Sequence, residues 1–199
     1  MSSKWFAVAG FFLMLFAAAG GCINEDVRTS IDAWNDCIDV QYRLYDEADK
    51  WLKTSNTHTD FNDLQLNLRN PNYQMIRENI ASDLENLDKW DRHLNDLSRE
   101  ISNFAGATTH LKGDAKRYAD DALTNIRAYH SEMDSAKRGY QSAYQYYDQY
   151  IRSCQRGYPD DSCYNLYQNA LTKANAALER ADSHLGRAGD SMARLEQLQ

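Results

Sequence analysis

The C-terminal part of the chain, residues 162–198, reads SCYNLYQNALTKANAALERADSHLGRAGDSMARLEQL. Its apolar side chains recur at alternating steps of four and three residues, which is the spacing of a helix that buries one face. Large residues and alanines share that face: Tyr167, Leu171, Ala174, Leu178, Ala181, Leu185, Ala188, Met192 and Leu195. Because alanine lets a neighbouring helix approach closely, the stretch predicts a helix that packs inside a bundle.

The same periodicity occurs in three earlier segments. The clearest has apolar residues at Ile80, Leu84, Leu87, Trp90, Leu94, Leu97, Ile101 and Phe104. The chain of 199 residues contains only two prolines and nine glycines, a scarcity that favours long helices. The sequence therefore predicts helices at about 24–55, 73–104, 114–156 and 162–198.

Four long helices predict an all-α fold. We expect a single helical-bundle domain over residues 22–199, arranged as a long antiparallel up-down-up-down four-helix bundle. Two helical hairpins stacked as an extended coiled coil are the alternative, and both arrangements share the antiparallel pairing. The long amphipathic faces are also compatible with a homo-oligomer.

The first 22 residues, MSSKWFAVAGFFLMLFAAAGGC, have the layout of a secretory signal. Lys4 supplies a short positive start, an apolar run follows, and small residues lead to a cysteine. The sequence Ala19-Gly20-Gly21-Cys22 resembles the lipobox of prokaryotic lipoproteins, in which leucine is the commonest residue at the position of Ala19.

That resemblance implies cleavage of a signal peptide, residues 1–21, and attachment of a diacylglyceryl group to the sulfur of Cys22. The body would then be extracytoplasmic and held by lipid at the cell membrane or envelope. The alternative is an uncleaved membrane anchor, since an apolar run of about 17 residues is at the short edge of what spans a bilayer.

Three further cysteines lie in the body of the chain. Cys154 and Cys163 flank the turn at residues 157–161, so we expect a disulfide that joins the last two helices in an oxidising compartment. Cys37 lies on the apolar face of the first helix, and we expect it to be a buried free thiol.

The connection between the last two helices is rich in tyrosine. If the anchor lies at the start of the first helix, alternation of the helices places this connection at the far end of the bundle. Eight of the thirteen tyrosines occur within residues 140–167. Tyrosine combines a large contact area with few rotamers, which suits recognition. Tyr146, Tyr150 and Tyr158 are therefore the predicted partner-binding residues, and ordinary core packing is the alternative.

Two charged stripes indicate how the first and last helices could pair. Charges recur every seven positions at Glu25, Asp32, Asp39 and Asp46, and at Lys173, Arg180, Arg187 and Arg194. One antiparallel register would bring the two stripes together and place Asp39 beside Arg180. Two solvated faces are the alternative, because exposed ion pairs contribute little.

No pattern in the sequence indicates catalysis. No glutamate is followed by a histidine three residues later, as in di-metal bundles. No glycine-rich phosphate loop or Gly-x-Ser-x-Gly nucleophile elbow occurs. The net charge of −7 makes the chain a poor partner for nucleic acid. We therefore expect no catalytic residues, no metal and no cofactor.

These features together predict a non-enzymatic lipoprotein that acts as a structural spacer or protein-interaction module. It would contact the membrane through its lipid and a protein partner through its far end. The alternative is a small-ligand sensor or carrier, in which the bundle core holds a ligand in a pocket lined by Cys37 and Gln41.

Overall fold

The computed structural model describes residues 25–55 and 72–198, and all the regular structure within these ranges is helical. Four long helices follow one another: α1 Glu25–Thr54, α2 Tyr73–Ala107, α3 Gly113–Gln155 and α4 Asp161–Glu196. A short 3-10 helix, Thr108–His110, lies between α2 and α3. The predicted all-α class is confirmed.

Side chains cap the starts of α2 and α4. The Asn72 side chain accepts a hydrogen bond from the Met75 backbone N–H at 3.1 Å. The Asp160 carboxylate accepts one from the Ser162 backbone N–H at 3.0 Å. Each contact satisfies a donor that the first helical turn leaves without an intrahelical partner, so both helices begin at defined residues.

Successive helices run antiparallel. Trp34 of α1 packs on Phe104 of α2 with ring centroids 5.7 Å apart, so the start of α1 lies beside the end of α2. Arg77, near the start of α2, donates from Nε to Asp148 Oδ1, near the end of α3, at 2.8 Å. α3 and α4 are also antiparallel, because Tyr167 stacks on Tyr147 while His184 contacts Asn125. The predicted up-down-up-down bundle is therefore confirmed.

The closest helix pair is α3 with α4. Small residues are buried along both: Ala119, Ala122, Ala136 and Ala143 on α3, and Ala174, Ala177, Ala181 and Ala188 on α4. At Gly139 the helices are so near that an added Cβ would lie 2.8 Å from Ala174 Cβ. The alanines of α4 therefore permit the close approach that their spacing predicts.

At one end of the bundle, α1 stops short of the other three helices. Trp51 Nε1, in the last turn of α1, donates to the Asp83 carbonyl oxygen of α2 at 2.9 Å. The first ten residues of α2 precede Asp83 and lie further along the bundle axis. We call this part the distal end: residues 73–82 of α2, 145–155 of α3 and 161–168 of α4, with the turn at 156–160.

Candidate binding surfaces at the distal end

The tyrosines of the distal end form a buried stack and a half-buried layer around it. Tyr147 and Tyr167 are buried, and their rings stack with centroids 4.9 Å apart. Tyr150 and Tyr164 are half-buried, with centroids 5.5 Å apart. Tyr146 is also half-buried against the core. Tyr146 and Tyr150 are thus each partly exposed, and their partner-binding role stays a prediction.

Tyr158 is different, because 83% of its surface is exposed. Its backbone is nevertheless fixed, since Gly157 N–H donates to the Cys154 carbonyl at 2.9 Å and Tyr158 N–H to the Ser153 carbonyl at 3.1 Å. Gly157 has φ +82°, a conformation that other residues rarely adopt, and it reverses the chain here. The turn therefore presents an aromatic ring on an ordered backbone.

Other apolar side chains are exposed on the same end. Met75 at the start of α2 is 46% exposed, and Leu166 at the start of α4 is 44% exposed. The corresponding values outside the distal end are 40% for Tyr42 and 46% for Leu198. Single exposed apolar side chains are normal, but three on one end of a rod mark it as a candidate contact surface.

The predicted disulfide between Cys154 and Cys163 is wrong, because both residues are free thiols. Cys163 Sγ lies 3.5 Å from Asp160 Oδ2 and 3.7 Å from Gln149 Oε1. Cys154 instead lies near Tyr150, and burial together with this thiol raises the pKa of Tyr150 to about 12. Burial and the hydrogen bond to Asp160 raise the pKa of the Cys163 thiol. The two cysteines lie at the same end of the bundle, as their spacing around the turn predicts, but their sulfurs lie near different side chains.

A polar network lies beneath the distal end, where α1, α2 and α3 meet. The Ser55 hydroxyl donates to Asp83 Oδ2 at 2.7 Å and lies 2.8 Å from the Tyr144 hydroxyl. Trp51 packs against Trp90 with ring centroids 5.8 Å apart. Asp83 is only 5% exposed. The sequence does not predict this network, since a serine at the end of one amphipathic stretch and an aspartate inside another look like surface residues.

An open groove lies between the outer faces of α2 and α3. Its volume is about 540 Å³, and its walls include Arg77, Ile80 and Leu84 of α2 and Gln145, Asp148 and Arg152 of α3. Arg77 Nε lies 2.8 Å from one oxygen of Asp148, and Arg152 Nε lies 2.7 Å from the other. Two guanidinium groups therefore share one carboxylate, which leaves the groove with local positive charge.

Cys37 and Gln41, the predicted liners of a core pocket, are packed in the interior. Cys37 is fully buried, and burial, with Glu100 and Asp36 adding to it, raises the pKa of its thiol to about 12. The Gln41 side chain donates to the Tyr129 hydroxyl at 3.5 Å. Neither residue lines the groove. A ligand site at Cys37 and Gln41 stays a prediction.

His130 and His184 make structural contacts between helices. His130 Nε2 lies 3.0 Å from the Leu94 carbonyl oxygen, across the α2–α3 contact. His184 Nδ1 lies 3.1 Å from Asn125 Oδ1, across the α3–α4 contact. Within residues 25–55 and 72–198, no group of three or more His, Cys, Asp or Glu side chains is placed to hold a metal ion.

The predicted pairing of charged stripes on α1 and α4 is wrong at Arg180. Its guanidinium donates through two nitrogens, each at 2.9 Å, to the two carboxylate oxygens of Glu132 on α3. Arg180 therefore pairs with Glu132 rather than with Asp39. These hydrogen bonds lower the pKa of Glu132.

The predicted anchor at Cys22 and the signal peptide, residues 1–21, lie outside the described residues. Over the described ranges, no helix combines the length and apolar composition that crossing a bilayer requires. No family model, curated protein or solved structure matches the chain.

Proposed function

We propose that the chain is an extracytoplasmic lipoprotein, attached to the membrane through Cys22, that holds a protein-binding surface at its distal end. It acts as a structural spacer and interaction module without catalysis. The lipobox-like sequence supports the anchor. Cys22 also precedes Glu25, the first residue of α1, by only three positions, so a lipid there would be coupled directly to the bundle.

The direction of the helices supports the spacer role. Ser30 Oγ lies 3.2 Å from the Ala107 carbonyl oxygen, so the start of α1 is at the bundle end opposite the distal end. α3 has 43 residues, which gives a length of about 65 Å at 1.5 Å per residue. A lipid at Cys22 would therefore hold the distal end several nanometres from the membrane.

The exposure of Tyr158 is the observation that carries the binding role. Its ring stands on a hydrogen-bonded turn, so little backbone freedom would be lost on binding. A tyrosine side chain also has only two torsions to order, and its ring and hydroxyl offer apolar and polar contacts together. Met75 and Leu166 extend the apolar area around the same end.

Mass spectrometry of the mature protein tests the anchor. We expect an N-terminus at Cys22 that carries a diacylglyceryl group, and we expect Cys22→Ser to lose the lipid and leave the membrane fraction. A mature protein that retains residues 1–21 without lipid, or that stays in the cytosol, would contradict the anchor.

Photo-crosslinking tests the binding surface separately. A photoreactive phenylalanine analogue would replace Tyr158, and the same analogue at Tyr42 on α1 provides a matched control at an exposed tyrosine outside the distal end. We expect a discrete protein adduct from position 158 in intact cells and none from position 42. Identical adducts at the two positions, or no adduct at position 158, would contradict the binding role.

A further inference from the structure

Two arginines and one aspartate line the groove between α2 and α3, so guanidinium groups outnumber carboxylates there. Arg77 and Arg152 each use Nε to bind a different oxygen of Asp148. Among the described residues, no acceptor is hydrogen-bonded to the terminal Nη atoms of either arginine. Asp148 thus orients both side chains while leaving their terminal donors available, which is the arrangement that planar anion recognition requires.

One wall of the groove is apolar. Ala81 is exposed and Leu84 is half-buried at the groove, while Ile80, which also borders it, is only 2% exposed. The volume of about 540 Å³ falls within the roughly 300–1,000 Å³ that is usual for small-molecule sites. An inorganic anion would leave this wall in contact with water, whereas a ligand with an apolar body would cover it.

We propose that the groove binds a small organic carboxylate. The carboxylate contacts Arg77 and Arg152, and the apolar body of the ligand packs on Ala81 and Leu84. Because the whole chain carries a net charge of −7, long-range attraction does not bring an anion to the protein, and recognition depends on these short-range contacts. The site is independent of a lipid at Cys22 and of protein binding at Tyr158.

The test is a titration of the full chain in detergent, followed by fluorine NMR. The probe is 4-fluorophenylacetate, and its neutral amide, 4-fluorophenylacetamide, reports any uptake into detergent. We expect saturable binding of the carboxylate with Kd on the order of 1 mM or tighter, and binding of the amide at least about tenfold weaker. Inorganic phosphate should compete only at much higher concentration.

Variants assign the binding to the groove. Arg77→Gln and Arg152→Gln should each raise the Kd of the carboxylate about tenfold or more. Arg180→Gln is the matched control, because Arg180 is a comparably exposed arginine paired with a carboxylate away from the groove. It should leave the Kd unchanged, and circular dichroism should show the same helicity in all three.

Leu84→Ala tests the apolar wall without changing any charge. It should weaken binding of 4-fluorophenylacetate several-fold and leave binding of acetate unchanged. The proposal is overturned if the carboxylate probe does not bind, if the amide binds equally well, or if phosphate competes at equal concentration. Equal binding by wild type and both groove arginine variants would also overturn it.

Discussion

Replacement of Gly139 by alanine should destabilise the bundle. The new Cβ would lie 2.8 Å from Ala174 Cβ and 3.1 Å from Ala174 Cα, closer than van der Waals contact allows. One of these atoms belongs to the α4 backbone, so a rotamer change cannot relieve the clash. Overpacking of this kind costs about 1–3 kcal/mol, and removing glycine from a helix returns about 0.5–1 kcal/mol. We expect a net loss of about 1 kcal/mol.

Thermal unfolding followed by circular dichroism measures this change, and about 1 kcal/mol corresponds to a decrease in Tm of roughly 2–4 °C for a chain of this size. Gly186→Ala in α4 is the control, because a Cβ added there meets no atom within 4 Å. It should stabilise the protein by about 0.5–1 kcal/mol. Ala174→Gly should cost less stability in the Gly139→Ala background than in the wild type, because there it also removes the clashing Cβ. If Gly139→Ala melts at or above the wild-type temperature, the close approach of α3 and α4 is refuted.

Three further predictions concern buried hydroxyl and thiol groups. Tyr144→Phe should lower the free energy of unfolding by about 1 kcal/mol, because it removes the hydroxyl that contacts Ser55 Oγ at 2.8 Å; unchanged denaturant unfolding would contradict this. Cys37 should resist alkylation in the native chain, since it is fully buried with a pKa of about 12, and should react after denaturation; peptide mass mapping of the alkylated chain checks this. Burial raises the pKa of Tyr167 from its ordinary value of 10.0 to about 12, so the folded state keeps a proton that the unfolded state releases. The stability linked to this group is therefore present below pH 10 and is lost as the pH rises toward 12. Between pH 10 and 12, the Tm of Tyr167→Phe should therefore fall less steeply with pH than the Tm of the wild type.

The helices could be predicted because each one buries a continuous apolar stripe. The periodicity predicts a third helix of about 43 residues, at about 114–156, and α3 spans 43 residues from Gly113 to Gln155. The stripe states which face of a helix is buried but not which helix covers it. For this reason the heptad spacing predicts that Arg180 pairs with α1, whereas its bidentate partner is Glu132 on α3. Exposed charges contribute too little to select a neighbour.

The distal end could be predicted only in part. Glycine and proline mark the turn around Tyr158 in the sequence, and its exposure follows from that turn. The groove depends on Arg77 and Asp148, which are separated by 71 positions and meet only because α2 and α3 pack in a particular register. No local sequence pattern encodes that register, so the sequence does not predict that Arg77 and Arg152 share Asp148.

The groove and the buried network both depend on which face of α2 is directed into the bundle. The apolar repeat suggested that Leu84 belongs to the inner face, between Ile80 and Leu87. In the structure, Asp83 takes the buried position, where Ser55 donates to its carboxylate. Leu84 is consequently turned toward the groove. Since an unpaired buried carboxylate would be costly, the hydrogen bond at the end of α1 stabilises the orientation that exposes the apolar wall. Replacement of Ser55 by alanine should therefore weaken binding of 4-fluorophenylacetate in the groove and also lower the free energy of unfolding.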